Sequence, residues 1–394
     1  MTTDAAGRLR ALLGRLGSEL AHALGAGPAH RRHLRQIDYR IVVAGVRGKS
    51  TMTRWLHDVF TARGYDTFAK ITGDVPQVLY NGTVQTVTRE ETVRLYENER
   101  ELARFDDVDV AIVENQGIRQ YTTRLVNEQF VDPDLLFLTN VREDHLDTLG
   151  RDRIQIARAL ARAVPSGTPV VCGEQDEALR RYLRAELDRR DAPVMFVDIA
   201  PEDRSTPGAE CVYGLDAVFG ALGEPPLSET RREGYLDRLR PTWRRLPGGR
   251  VFNAAPVNDV QSTELARRSL VGDTDTVVEP LLNLRRDRRG RTASFLRYLG
   301  ELADANAIER AHVVGYDRTL FETNATFPVV SHGTDSEPAA VLDAALEAGN
   351  PVMLMGNTVT EFMRSLLAEV DARAERVESS PPDRVADGKP VEGR

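Results

Sequence analysis

The sequence predicts an α/β protein in two parts: a parallel-sheet domain that opens on a glycine-rich loop, followed by a smaller Rossmann-like α/β domain. Three observations predict it. Short β-branched runs alternate with helical periods from Arg40 onward; the first run leads through Gly45-Val46-Arg47-Gly48-Lys49-Ser50-Thr51 into a helical pattern; and the alternation loosens around Pro201 to Gly249 before it restarts. Strand, helix, strand in repetition is the pattern of βαβ units, whose parallel sheet is covered on both faces.

The elements follow in order. Leu9, Leu12, Leu13, Leu16, Leu20 and Leu24 recur at helical spacing, giving an amphipathic N-terminal helix within residues 1–38. Residues 1–40 are basic, so that helix either packs on its own domain or docks on a membrane subunit or an anionic leaflet. "RIVVAG", "DVAIVEN", "DLLFLTNV", "TPVVCG" and "APVMFVD" are buried-strand candidates of a central domain, residues 39–274. "TDTVVEPLLNLR", "RAHVVGYD", "FPVVSHG" and "NPVMLMGN" build the second domain, residues 275–370. The tail, 371–394, is polar and proline-rich and is expected to be disordered.

Composition excludes several classes. A formal net charge of −8 and pI near 5.6 argue against a protein that neutralises many nucleic-acid phosphates. Cys172 and Cys211 form no CxxC pair, so neither a disulfide framework nor a zinc site is indicated, and a reducing cytoplasm fits. No apolar run approaches the roughly 20 residues that span a bilayer. Only Lys49, Lys70 and Lys389 are lysines among 52 basic residues, so a lysine here marks a place where a compact ammonium is wanted.

The loop at Gly45 to Thr51 carries the chemistry. Backbone N–H groups and the positive end of the following helix converge on one point, a ready anion site. Lys49 is expected on the β and γ phosphates of ATP, and Ser50 on Mg²⁺. Glu114, ending the strand "VAIVE", is a candidate for the same ion. The glycines Gly45 and Gly48 stand closer together than in the general phosphate loop, Gly-x-x-x-x-Gly-Lys-Ser/Thr.

That tight loop resembles the Mur ligase superfamily of ATP-dependent amide ligases, and "FLTNVREDHLDTLG" is similar to its Thr-Asn-x-x-x-Asp-His-x-Asp signature at Thr139, Asn140, Asp144, His145 and Asp147. "VRGKST", "FAKITGDVP", "NVREDHLD", "FNAAPVNDVQST" and "LLNLRRDRRGRT" together resemble the poly-γ-glutamate synthase branch, over roughly residues 40 to 365. The resemblance implies a parallel-sheet ATPase domain of Mur-ligase type and an ADP-forming ligase that activates a glutamate or poly-γ-glutamate carboxylate as an acyl phosphate.

It implies ATP and two Mg²⁺, with Ser50 and Glu114 at the first ion and His145, aided by Asp144, at the second. Lys70 is a candidate for substrate carboxylate or γ-phosphate, or else a surface lysine beside a turn. Asn258 is a candidate for adenine; Arg285, Asp287, Arg288 and Arg291 are candidates for nucleotide or acidic polymer, with a solvated arginine face as the alternative. The partners implied are glutamate or another small amino acid, the growing polymer and integral-membrane synthase subunits at the inner face of the membrane, with homo-oligomerisation expected and no nucleic acid. Two departures stand out. The carbamylated lysine of many Mur ligases has no counterpart between Arg151 and Val164, and "VENQGIRQYT" replaces the branch's Glu-Cys-Met-Ala type segment. A ligase on another amino-acid or peptide substrate, a nucleoside triphosphatase without ligation, and a nucleotide-gated binding module remain as rival readings.

Overall fold

A computed structural model describes residues 27–73, 75–88, 97–117, 119–143, 149–257, 259–272, 274–286 and 289–379. The chain divides into two units, residues 1–239 and 240–394, each built on its own sheet.

In the first unit β1 (Tyr39–Ala44), β2 (Thr67–Ile71), β3 (Gln77–Tyr80), β4 (Thr83–Thr86), β5 (Val110–Glu114), β6 (Leu135–Leu138), β7 (Val170–Cys172) and β8 (Val194–Phe196) lie in the order β4-β3-β2-β5-β1-β6-β7-β8. Six of them run parallel, and β3 and β4 add an antiparallel edge. Both faces of the middle of the sheet are covered, which is why β1, β5, β6 and β7 read as apolar runs. Ile41, Val43 and Ile112 enter one core layer, while Val42, Ala44, Ala111 and Val113 enter the other. The helix Lys49–Ala62 brings Met52, Trp55, Leu56, Val59 and Phe60 onto the first layer at spacings of three and four. Each such buried side chain contributes roughly 1.5–3 kcal/mol.

The loosened stretch after Pro201 is more ordered than the sequence suggests. It folds into the helices Ala209–Leu222 and Glu229–Leu239, and Val212, Leu215, Val218, Phe219, Tyr235 and Leu236 close the same layer. The N-terminal leucine stripe lies outside the described residues. What is described there is a helix, Gly27–Leu34, whose His30 ring nitrogen Nε2 lies 3.0 Å from the carbonyl of Phe130.

The second unit carries β9 (Arg244–Leu246), β10 (Gly249–Asn253), β11 (Glu279–Leu284), β12 (Ala311–Gly315), β13 (Val329–His332) and β14 (Val352–Met355), in the order β13-β12-β11-β14-β10-β9. Two expectations are corrected here. The division falls at Leu239 and Arg240, not near residue 275, because β10 pairs in parallel with β14 and so joins residues 249–253 to the second sheet. The helix Glu361–Ser379 also runs past residue 371, where disorder was expected. Val370 and Ala374 are buried, and Arg373 pairs with Asp343 and Glu369. Residues 380–394 lie outside the described range.

Candidate active site

β1 is flanked by β5 and β6, so three parallel strands end side by side beneath the glycine loop. Ligands of open α/β sheets bind at the carboxyl ends of strands where the order switches. Val43 is level with Glu114 on β5, and Ala44 with Leu138 on β6; Gly45, Glu114 and Thr139 therefore emerge at one place.

The loop is shaped by two glycines that cannot be replaced cheaply. Gly45 has φ 115°, and a Cβ there would lie 2.9 Å from the Thr139 nitrogen and collide with its hydroxyl. Gly48 has φ 80°, and its Cβ would lie 2.9 Å from Cys211 Sγ. These conformations are open to glycine and strained for other residues. The loop thus lies flat on β6 and on the helix Ala209–Leu222. Asn140 fastens it: its Oδ1 accepts from the Arg47 N–H at 3.1 Å, and its Nδ2 donates to the Arg47 carbonyl at 3.2 Å and to Glu210 Oε1 at 2.7 Å. Val46 N–H bonds the Asn140 carbonyl at 3.1 Å.

Gly48 precedes the helix Lys49–Ala62, whose first-turn N–H groups have no intrahelical acceptor and present a partial positive charge. Lys49 Nζ folds over the loop, donating to the carbonyls of Gly45 at 3.0 Å and Val46 at 3.2 Å. Ser50 Oγ donates to Glu114 Oε2 at 2.8 Å, and the same oxygen accepts from the Thr72 N–H at 3.1 Å. Glu114 is buried. Thr51 continues the helix. A cradle closed to any Cβ, a lysine over it, and a hydroxyl–carboxylate pair beside it fit a nucleotide phosphate chain with a divalent cation.

Beyond Asn140 the strand end is gripped again. Glu174 Oε2 accepts from the Val141 N–H at 2.8 Å, while Arg153 Nε donates to the Val141 carbonyl at 3.1 Å and Arg153 pairs with Glu174 at 3.3 Å and Asp176 at 3.1 Å. This clamp fixes the base of the "REDHLD" segment. Asp144 and His145 lie outside the described residues, as do Asn258, Asp287 and Arg288. Among the described residues no group of three or more His, Cys, Asp or Glu side chains is placed to hold a metal ion.

Lys70 does not join the loop, and it is not a surface lysine. It is level with Val113 on β5, on the face opposite Glu114, and is fully buried in an ion pair with Glu97. A lysine moved out of water requires such a partner. Arg285 and Arg291, in the second unit, line a crevice with Asn283, Gly356 and Asn357 at the carboxyl ends of β11 and β14. Asn283 Nδ2 donates to Thr360 Oγ1 at 2.7 Å there, and the Gly356 φ of 113° lets the two strand ends approach.

Sequence reasoning missed Glu210, Cys211, Arg153 and Glu174 as parts of the site's frame. Their distance along the chain from Gly45 gives no local signal. Among the described residues no helix is long and apolar enough to cross a membrane.

Residues 43–209 match the family model of the Mur ligase middle domain, and residues 244–373 that of the poly-gamma-glutamate synthase CapB C-terminal domain. The chain is 24% identical over 296 residues to PGA synthase CapB of Bacillus subtilis (strain 168), covering 67% of this chain and 73% of that protein. It is 25% identical over 295 residues to the capsule biosynthesis protein CapB of Bacillus anthracis, covering 68% of this chain and 62% of that one. Among solved structures, the bifunctional folylpolyglutamate synthase/dihydrofolate synthase of Yersinia pestis, complexed with AMPPNP and Mn ion, superposes with TM-score 0.62 at 17% identity, over 87% of this chain and 91% of that one; this likeness concerns the fold. Taken with the glycine cradle and its Ser50–Glu114 pair, the matches over both units establish that the chain belongs to the Mur ligase superfamily of ATP-dependent, ADP-forming amide ligases, within its poly-γ-glutamate synthase CapB branch.

Proposed function

We propose that this protein activates the carboxylate of glutamate, or of a growing poly-γ-glutamate chain, and joins it to the amino group of the next glutamate. A carboxylate oxygen attacks the γ-phosphorus of ATP, the bond to the β–γ bridging oxygen breaks, and ADP leaves. The amine nitrogen then attacks the acyl carbon, the carbon–oxygen bond to phosphate breaks, and phosphate and a proton are released.

Gly45, Val46, Arg47, Gly48 and Thr51 shape the phosphate cradle, and Lys49 swings from the loop carbonyls onto the transferring group. Ser50 and Glu114 would hold one Mg²⁺, and His145 with Asp144 a second, supplying positive charge to phosphoryl oxygens. Fixed positive charge matters because the transition state carries its charge on those oxygens. Asn258, Arg285 and Asp287 are assigned to the nucleotide on resemblance. Lys70 is assigned to the frame through Glu97. The polymer, integral-membrane synthase subunits at the inner face of the membrane, and self-association complete the reading.

The Ser50–Glu114 hydrogen bond beside the glycine cradle carries this proposal, because it puts a metal-type donor pair between the helix that follows the loop and the end of the strand beside the one that feeds it. Purified protein incubated with ATP, Mg²⁺ and single amino acids, with products identified by mass spectrometry, tests it. Glutamate is expected to stimulate ADP and phosphate release and to appear in an amide product. Turnover indifferent to glutamate, with no amide formed, would identify a plain nucleoside triphosphatase. Stimulation by a different amino acid would retain the ligase and change its substrate.

A further inference from the structure

Arg142 is the first side chain beyond the doubly clamped Val141, so its backbone is fixed while its side chain is not spent on the frame. Its Nε is buried with no hydrogen-bond partner, and among the described residues its guanidinium makes neither a hydrogen bond nor an ion pair. A buried donor left unsatisfied is costly, and more so when it is charged.

The location of this guanidinium is informative. Arg142 follows Asn140 by two residues, and Asn140 is bonded to Val46 and Arg47 of the loop; the Cys211 thiol, which burial and Glu210 hold well above its ordinary pKa, feels Arg142 as an opposing charge. Cys211 Sγ is in turn 3.8 Å from the Gly48 carbonyl, at the turn from loop to helix. The carboxylate of Glu210, beside Cys211, is bonded to Asn140. A cation without a partner among the described residues thus follows, by two positions, the residue that fastens a cradle already made attractive to anions by the loop N–H groups and Lys49.

We infer that Arg142 is a phosphate-binding residue of this site, its guanidinium taking a terminal phosphate oxygen of bound ATP from the β6 side while Lys49 approaches from the loop. The planar fork of arginine suits phosphate oxygens. The inference rests on the reading of the loop as a nucleotide site and adds to it a residue contributed by another strand end.

Calorimetric titration of the full-length protein with ATP and with AMP, comparing the parent with Arg142→Met and Arg142→Lys, tests it. Arg142→Met should weaken ATP by about tenfold or more, the range of a charge-assisted hydrogen bond, with AMP changed by less than about threefold. Arg142→Lys should fall between. The ligand-free melting temperature of Arg142→Met should stay level or rise, because a buried unpaired group has been removed. ATP affinity within about threefold of the parent, or equal losses for ATP and AMP, would overturn the assignment, as would a clear fall in the ligand-free melting temperature of both variants without selective loss of ATP. Parent protein that binds no ATP would instead remove the nucleotide reading itself.

Discussion

Ser50 Oγ, in the first turn of the helix that follows the phosphate loop, donates a 2.8 Å hydrogen bond to Glu114 Oε2, the last residue of the neighbouring parallel strand. A hydroxyl held against a buried carboxylate is already placed to share a divalent cation. Ser50→Ala or Glu114→Gln should lower amide formation by roughly a hundredfold or more, the usual scale for losing a group that stabilises transition-state charge. ADP release measured across a Mg²⁺ titration should show the remaining activity shifted to higher Mg²⁺, with the circular dichroism spectrum unchanged.

Gly45 offers a sharper structural test. Alanine there meets both a φ of 115° and the Thr139 backbone nitrogen 2.9 Å from its Cβ. Backbone strain of this kind costs about 1–3 kcal/mol. Gly45→Ala should lower the melting temperature and abolish ATP-induced stabilisation, whereas Gly64→Ala, at φ 92° with nothing near its Cβ, should lower the melting temperature less and keep the ATP response.

The Lys70–Glu97 pair is buried on both sides, with side-chain exposures of 0% and 4%. Breaking such a pair by removing one partner typically costs about 3–5 kcal/mol, while replacing both with apolar groups is often close to neutral. In urea unfolding, Lys70→Met should therefore destabilise strongly and Lys70→Met with Glu97→Leu should recover most of the loss. A single variant as stable as the parent would contradict the buried pairing.

Acid stability of the second unit should depend on Glu264. Burial pushes this carboxyl up, but hydrogen bonds from Arg267, Arg268 and Tyr298 overcome that and hold it down at about 2. A carboxyl depressed below its ordinary value of 4.5 adds stability that is present above that pH and is lost as pH falls toward 2. Tryptophan fluorescence of Trp243, followed between pH 5 and 2 against Trp55→Phe background, should show a loss of stability that Glu264→Gln flattens.

Much of the fold was legible because its strands are local events. The nine apolar runs that the sequence offers as strands all appear, from Tyr39–Ala44 to Val352–Met355, and in the middle of each sheet burial on both faces is what makes the run continuous. β2 was not legible, because Lys70 interrupts its apolar pattern and only the distant Glu97 makes that lysine acceptable in a core. β9 and β10 were not assigned to the second sheet either. β9 pairs with β10 inside "RRLPGGRVFN", but the membership of both in the second sheet depends on β10 pairing with β14, a hundred residues away in the chain.

By itself the sequence determined the glycine positions, the rare lysine after them and the strand-loop-helix order, because backbone conformation and period are written in neighbouring residues. It also identified Glu114 and Ser50 as candidates for one ion. Only the tertiary structure decided that they touch, that Asn140 and Glu210 hold the loop from below, that Lys70 turns to the other face, and that the Arg142 Nε is buried without a hydrogen bond. Those relationships join segments separated by dozens of residues. They follow from which strands the sheet brings side by side, and that choice is settled by the packing of the whole core.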